Sequence, residues 1–268
     1  MHSGKMSYSK IMSFLECPGR YKLRYIDNAP CEERESRGRI VHKYIEGILS
    51  DKLCIDTDST AGMIAFELVN FLDSDVEEHY IERRIDFSFG GEEWIAKPDL
   101  ILKRSDGVYD VVDFKSTGLS EKNALQGAVY FYAVTSELGS CRSVIFISPN
   151  KTKTYTYTVE TVEKYLLGIM RAIREAAQFE FRPGAYCNYC GYNVSCPVFN
   201  SNDTVGEYMR LNKRVLELRN QFKDIMSEKG YIQSATGKYI YRKGSIYPTT
   251  AVHDAFVSDG LLTEGECS

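Results

Sequence analysis

The chain has no long hydrophobic run: the longest uninterrupted stretches are a few residues, such as Val144-Ile145-Phe146-Ile147. A bilayer span needs ~18 apolar residues, so a membrane helix is excluded. The first ten residues lack the apolar stretch of a secretory leader, and the expectation is a cytoplasmic protein, or one of the host cytoplasm if its source is viral. There is no G-x4-G-K-[ST] loop, which argues against ATP hydrolysis within the chain. There is no internal repeat and no low-complexity block. Nor is there an excess of positive charge: 33 basic against 37 acidic side chains give −4, which excludes a uniformly basic coat.

What is present begins with enough apolar matter for a core, 43% of 268 residues, which rules out wholesale disorder. The charge is unevenly placed. Residues 51–93 hold twelve acidic and three basic side chains, so the remainder is net positive and a local anion-binding footprint stays open. Eight cysteines are too many to pass over. An intracellular chain of this length is a poor host for a disulfide framework, which leaves buried thiols or metal ligands.

Periodicity predicts a helix over Ser7–Asp27 capped at Ser9 and broken near Cys17 by Pro18, then helices over Gly38–Leu49 and Ala61–Tyr80. The period then changes to strands at Ile81–Phe89, Glu93–Ala96, Asp99–Lys103 and Val108–Lys115, with a hairpin signal at Ser105-Asp106-Gly107. A helix follows over Ser120–Leu138, strands over Arg142–Ser148 and Thr154–Val159, and a helix over Thr161–Ala177. Residues 179–199 read as an irregular cysteine-rich segment, Val205–Lys229 as a helix, Tyr231–Arg242 as a short hairpin and 243–268 as a partly disordered tail. The expected fold is α/β, a mixed central sheet flanked by helices, with a main domain over 1–199 and a helical appendage and tail over 200–268.

The sharpest local feature is Pro98-Asp99 followed by Asp113-Phe114-Lys115. Asp113 and Lys115 are two apart, hence on one face of a strand whose neighbours Val111 and Val112 mark it as buried. Charges are costly there unless used or paired. Two carboxylates can hold a hard divalent cation, which polarises a phosphodiester and lowers the pKa of water. A lysine can then stabilise developing negative charge. By itself D-x-K also describes an ordinary strand salt bridge.

A second feature is Cys187-x2-Cys190-x5-Cys196, with Cys17 far upstream. Thiolate ligation suits zinc or an iron-sulfur cluster, and spacing does not choose between them. Cys31, Cys54, Cys141 and Cys267 lack partners at ligand spacing and read as plain thiols. Arg20, Tyr21, Lys22, Arg24 and Tyr25, with Arg34, Arg37 and Arg39, read as a basic, aromatic-lined path or as a solvated helix face over core tyrosines.

Taken together, Pro98-Asp99 and Asp113-x-Lys115 resemble the PD-(D/E)xK nucleases. Gly38-x3-His42 upstream and Gln126-x3-Tyr130 downstream resemble the RecB-like branch. That branch often has glycine where Ala96 stands here. The resemblance implies a restriction-endonuclease-like core in which His42, Asp99, Asp113 and the Phe114 carbonyl hold Mn2+ or Mg2+. Lys115 would act with the carboxylates in catalysis, and Gln126 and Tyr130 would position DNA or the metal site. Glu82 is a further acidic residue of that region. One cysteine before the core and three after it resemble the iron-sulfur RecB-like nucleases, AddB-type subunits and CRISPR-associated exonucleases, which implies a 4Fe-4S cluster on Cys17, Cys187, Cys190 and Cys196 closing a loop of ~170 residues. The implied activity is metal-dependent DNA exonucleolysis at ends or single strands, with Arg20, Tyr21 and Arg24 as DNA contacts. The settings would be CRISPR adaptation, recombination, repair or phage DNA processing, with any helicase or integrase a separate partner. The competing reading is a non-catalytic protein that keeps this fold to grip DNA or a partner; the intact Asp99, Asp113 and Lys115 argue against it.

Overall fold

The computed structural model describes residues 4–32, 37–50, 60–69, 76–116, 118–229, 232–234, 237–242 and 245–248. The chain divides into two compact units, Met1–Arg182 and Pro183–Ser268.

The first unit opens with α1 (Tyr8–Glu16) and α2 (Pro18–Tyr25). Ser7, rather than Ser9, caps α1, accepting from the Lys10 amide at 3.2 Å. Cys17 separates the two helices, and its extended backbone leaves Pro18 at the first turn of α2, where a missing N–H is harmless. α3 (Arg37–Leu49) and α4 (Thr60–Val69) follow.

A helix running on to Tyr80 does not form: Glu78–Ile81 is instead strand β1. The run expected as one strand over Ile81–Phe89 is divided, because Glu82 takes a left-handed φ of 46° between β1 and β2 (Ile85–Phe89). Among the described residues β2 pairs only with β3 (Glu92–Ala96), as a separate ribbon sealed by the fully buried Trp94, whose indole donates to the Phe89 carbonyl at 3.1 Å.

The main sheet has the order β1–β4–β5–β6–β7, with β4 at Leu100–Lys103, β5 at Tyr109–Phe114, β6 at Cys141–Ser148 and β7 at Lys151–Tyr155. It is mixed: β5 and β6 run parallel and the other pairs antiparallel. The parallel step requires a crossover, supplied by α5 (Lys122–Glu137); α6 (Val159–Arg174) follows β7. β5 is buried on both faces. Val111 joins a core containing Phe87, Trp94, Leu125, Val129 and Leu166, whereas Val112 and Phe114 join a second core with Val41, Ile45 and Leu68. Helices α5 and α6 thus cover one side of the sheet and α3 and α4 the other.

The second unit contains two short 3-10 turns, Ala185–Tyr189 and Asn193–Ser195, then α7 (Thr204–Lys229). β8 (Ile232–Ser234), β9 (Gly237–Arg242) and β10 (Ser245–Pro248) form a three-stranded antiparallel sheet. The hairpin expected to Arg242 is therefore extended by a third strand, inside the segment expected to be tail. Residues 249–268 lie outside the described residues. Among the described residues no helix is long and apolar enough to cross a membrane.

Candidate active site

The two cores meet at the C-terminal end of β5, and the carboxylate–lysine group sits there. Asp99 precedes β4, whose Leu100 is in register with Val112 of β5. Its Oδ2 accepts from the Phe114 amide at 2.7 Å. From the α3 side, His42 Nδ1 meets Asp99 Oδ1 at 3.1 Å. This contact, ahead of the opposing effect of burial, raises the His42 pKa. From the α5 side, Gln126 Nε2 donates to Asp113 Oδ2 at 3.1 Å and to the Tyr130 hydroxyl at 2.8 Å. The Tyr130 hydroxyl reaches Asp113 Oδ2 at 3.1 Å. Lys115 Nζ donates to Gln126 Oε1 at 2.9 Å, lies 5.4 Å from the centre of the Phe146 ring and forms an ion pair with Asp113 Oδ1.

Asp113 is the energetic centre of this group. Only 2% of it is exposed. Burial first, and the nearby Asp99 charge second, push its pKa up to about 6 against the pull of Lys115. Its Oδ2 is fully engaged, but Oδ1 has no directed hydrogen bond, and the Lys115 ion pair is its charge partner. Burial, then the charges of Asp113 and Asp99, also drive the Tyr130 phenol well above its ordinary range, so it remains a hydrogen-bond donor.

The sequence model of the PD-(D/E)XK nuclease superfamily matches residues 5–64 and 62–197, which includes all of these side chains. The chain belongs to the PD-(D/E)XK nuclease superfamily. No curated protein matches it. Among solved structures it is similar to a candidate exonuclease from Eubacterium rectale, at 15% identity and a TM-score of 0.46, over 66% of this chain and 84% of that one. It is also similar to SSO0001, at 14% identity and a TM-score of 0.42, over 74% of this chain and 87% of that one.

PD-(D/E)XK nucleases generally use divalent metals such as Mg2+ or Mn2+. The donor chemistry here fits such an ion: two carboxylates and an imidazole, with one buried carboxylate oxygen lacking a directed hydrogen bond. As they stand, these donors are closed upon one another and upon Lys115. Among the described residues no three His, Cys, Asp or Glu side chains form a group ready to hold a metal ion.

The other residues singled out by sequence are placed unevenly. Tyr21 does not line a surface path: it is fully buried, stacked on Phe179 at 5.9 Å and edge-on to Phe14 at 5.6 Å. That expectation is corrected, since an amphipathic helix must bury one of its interleaved tyrosines and this is the one. Arg20 binds Glu16 at 2.6 Å, and Arg24 lies over the Tyr25 ring at 5.1 Å. Arg34 lies outside the described residues, as do Cys54 and Cys267. Cys141 is buried, with its thiol pushed up to about 12 by burial. Cys17 Sγ accepts from the amides of Arg20 and Arg182, both at 3.4 Å. In the second unit Cys187 Sγ accepts from the Gly184 amide at 3.3 Å and Cys196 Sγ from the Phe199 amide at 3.5 Å.

Further side chains stand near the site, of which Glu82 was singled out in the sequence and Glu46, Ile81 and Tyr8 were not. Glu82, Glu46 and Ile81 join His42, Ile45 and Asp99 around a recess of about 10 Å³, close to the size of one water. Glu82 is ion-paired with Lys97 there. Glu46 is one turn beyond His42, a spacing visible in sequence but common to any helix. Tyr8 at the start of α1 feels the Asp113 charge, which adds to burial in pushing its phenol up to about 12; nothing in its neighbours announces this.

Proposed function

We propose that this PD-(D/E)XK protein is a metal-dependent DNA exonuclease that hydrolyses phosphodiesters at DNA ends or in single strands. The observation that supports the reading best is Asp113 itself. A carboxylate 2% exposed and beside a second carboxylate, its pKa raised by burial and by Asp99 despite the Lys115 ion pair, is a costly structural element and a favourable cation ligand. His42, Asp99, Asp113 and the Phe114 carbonyl would hold Mn2+ or Mg2+. A divalent ion there polarises a phosphodiester oxygen and lowers the pKa of water. Lys115 Nζ, steered by Gln126 Oε1, presents its remaining protons to negative charge developing on the phosphate. Gln126 and Tyr130 fix the Asp113 carboxylate by holding Oδ2, which leaves Oδ1 as its working oxygen.

The resemblance adds a 4Fe-4S cluster on Cys17, Cys187, Cys190 and Cys196. Absorption near ~400 nm after anaerobic purification, bleached in Cys190→Ala, tests the cluster; a colourless zinc protein would refute it. CRISPR adaptation, recombination, repair or phage DNA processing are the settings the same resemblance supports, with a helicase or integrase as a separate chain.

The deciding experiment incubates end-labelled single- and double-stranded DNA with Mn2+, Mg2+ or EDTA and compares wild type with Lys115→Ala. Metal-dependent shortening from an end, lost in the variant, is expected. DNA binding without cleavage by folded wild type would overturn the reading in favour of a gripping protein.

A further inference from the structure

Lys115 follows the end of β5, and its amide donates to the Ile147 carbonyl of β6 at 2.8 Å. The lysine backbone is thereby fixed beside β6. Phe146 of β6 is in register with Asp113 and packs in the core that contains Leu125 and Val129 of α5. Asp113, Lys115 and Phe146 therefore share the face of the sheet that α5 covers. The Lys115 ammonium meets three groups there. It pairs with Asp113 Oδ1, donates to Gln126 Oε1 at 2.9 Å and lies 5.4 Å from the centre of the Phe146 ring. A cation within about 6 Å of a ring centroid is attracted by the negative face of the ring. The mechanism set out above uses the first two contacts and leaves the ring without a role.

The ring is closely held. Phe146 is fully buried, and Tyr155 meets it edge-on at 5.8 Å. From the helix side it faces Gly127, where a Cβ would stand 3.2 Å from Phe146 Cε2 and 2.4 Å from the Tyr157 hydroxyl. Glycine inside a helix is unfavourable relative to alanine, and the close approach of α5 to this aromatic wall is what it allows here. The Tyr157 hydroxyl donates to the Ala124 carbonyl at 2.8 Å and ties the same stretch of α5 to the wall. Gln126 is the neighbour of Gly127, so the approach that brings α5 onto the ring also brings the amide oxygen to the ammonium. The ring differs from the other two contacts in chemistry. It has no oxygen to give to a metal ion, and it attracts the ammonium without a directed acceptor.

We propose that Phe146 is a positioning residue for Lys115, the face of its ring holding the ammonium where a substrate phosphate meets it. The proposal rests on the nuclease reading for its substrate and adds to that reading a residue that acts through Lys115.

The test uses the full chain with Phe146 replaced site-specifically by mono-, di- and trifluorophenylalanine. Ring fluorines drain the negative face and leave the shape nearly unchanged, so packing alone gives no trend with the Lys115 ammonium. Each protein is made with Lys115 and with Lys115→Met, which keeps an apolar stem and removes the charge. Urea unfolding in EDTA gives the folding constant of each, and the effect of fluorine on packing cancels between the two backgrounds. The ratio of the two constants is expected to fall stepwise along the series, about fivefold in all. In the Lys115 background kcat for Mn2+-dependent cleavage of end-labelled DNA is expected to fall by a similar factor with KM unchanged. Equal slopes in the two backgrounds overturn the proposal and make Phe146 a packing residue. A stability trend with kcat constant overturns it too, because the ring then holds the ammonium without serving the reaction. The two readings fail separately. Cleavage by wild type with no fluorine trend removes the role of Phe146 alone, and a fluorine trend in stability with no cleavage by wild type removes the nuclease reading.

Discussion

Asp113→Asn should make the metal-free protein more stable at neutral pH while abolishing cleavage. The Asp113 pKa rises from 3.8 to about 6 on folding, with burial as the first cause and Asp99 as the second. A shift of about two units corresponds to ~3 kcal/mol between the protonation states. The sign follows from proton binding. The folded state holds the proton more tightly than the unfolded chain, so wild-type stability falls as pH rises from about 4 through about 6 and then levels. Asparagine has the shape of the protonated acid and does not ionise. The stability difference, variant minus wild type, should therefore start near zero at pH 4 and reach a plateau of ~3 kcal/mol above pH 7. Its loss of the Lys115 partner needs no separate allowance, because a protonated Asp113 lacks that partner as well. Urea unfolding in EDTA across this pH range measures the difference directly, and groups common to both proteins cancel. A flat difference, or a variant less stable at pH 7, would refute the claim that Asp113 is held ionised against its surroundings.

Further outcomes follow from the same contacts. Tyr130→Phe removes a donor to Asp113 Oδ2 and a partner of Gln126, and should destabilise by about 1–3 kcal/mol in chemical denaturation and slow Mn2+-dependent cleavage. Protons compete with a cation for His42 and Asp113, whose pKa values are both raised, so the melting-temperature increase produced by Mn2+ should grow from pH 5.5 to pH 7.5 by about ten-fold in apparent affinity. Asp110→Ala takes the carboxylate from Arg104, Arg142 and Ser143 at once, leaves a guanidinium only 8% exposed without it, and should cost about 3–5 kcal/mol in thermal or urea unfolding. Burial alone would raise the Asp110 pKa, but the hydrogen bonds from Arg142, Ser143 and Arg104 outweigh it and hold it low. Its contribution is therefore present at neutral pH and should be lost as pH falls below about 4.

The motif residues were legible because their chemistry conflicts with their surroundings. Asp113 and Lys115 interrupt an apolar run, and only function or pairing explains charges in such a strand; the structure shows the pairing, through Asp113 Oδ1. Gln126 and Tyr130 were legible as a helical i, i+4 pair, and α5 delivers both to Asp113. The break at Cys17 was legible because Pro18 forces it. The failures have equally local causes. Residues 61–80 hold helical periodicity, yet Glu78–Ile81 pairs with β4 across Glu78 to Lys103, a long-range contact that overrides local preference. The left-handed Glu82 gives no compositional warning, since such a conformation favours glycine or asparagine. Tyr21 and Tyr25 are equivalent in sequence, and the stacking of Tyr21 on Phe179, more than 150 residues away, is a long-range contact that local pattern does not announce.

The position of the site explains why so few residues define it. β5 is buried on both faces, and its last residues point alternately into two cores. Asp113 therefore meets α5, while Asp99, fastened to the Phe114 amide, meets His42 of α3. Each helix needs to supply only one or two polar side chains on an otherwise apolar face. Because both layers converge on one strand end, a small shift of α3 against α5 changes the separation of the donors. Lys115 joins the two sides of the site, neutralising Asp113 while donating to Gln126 Oε1. Under the nuclease reading Asp113 and Asp99 would hold the divalent cation and Lys115, kept beside them by Gln126 Oε1, would place its ammonium near a substrate phosphate.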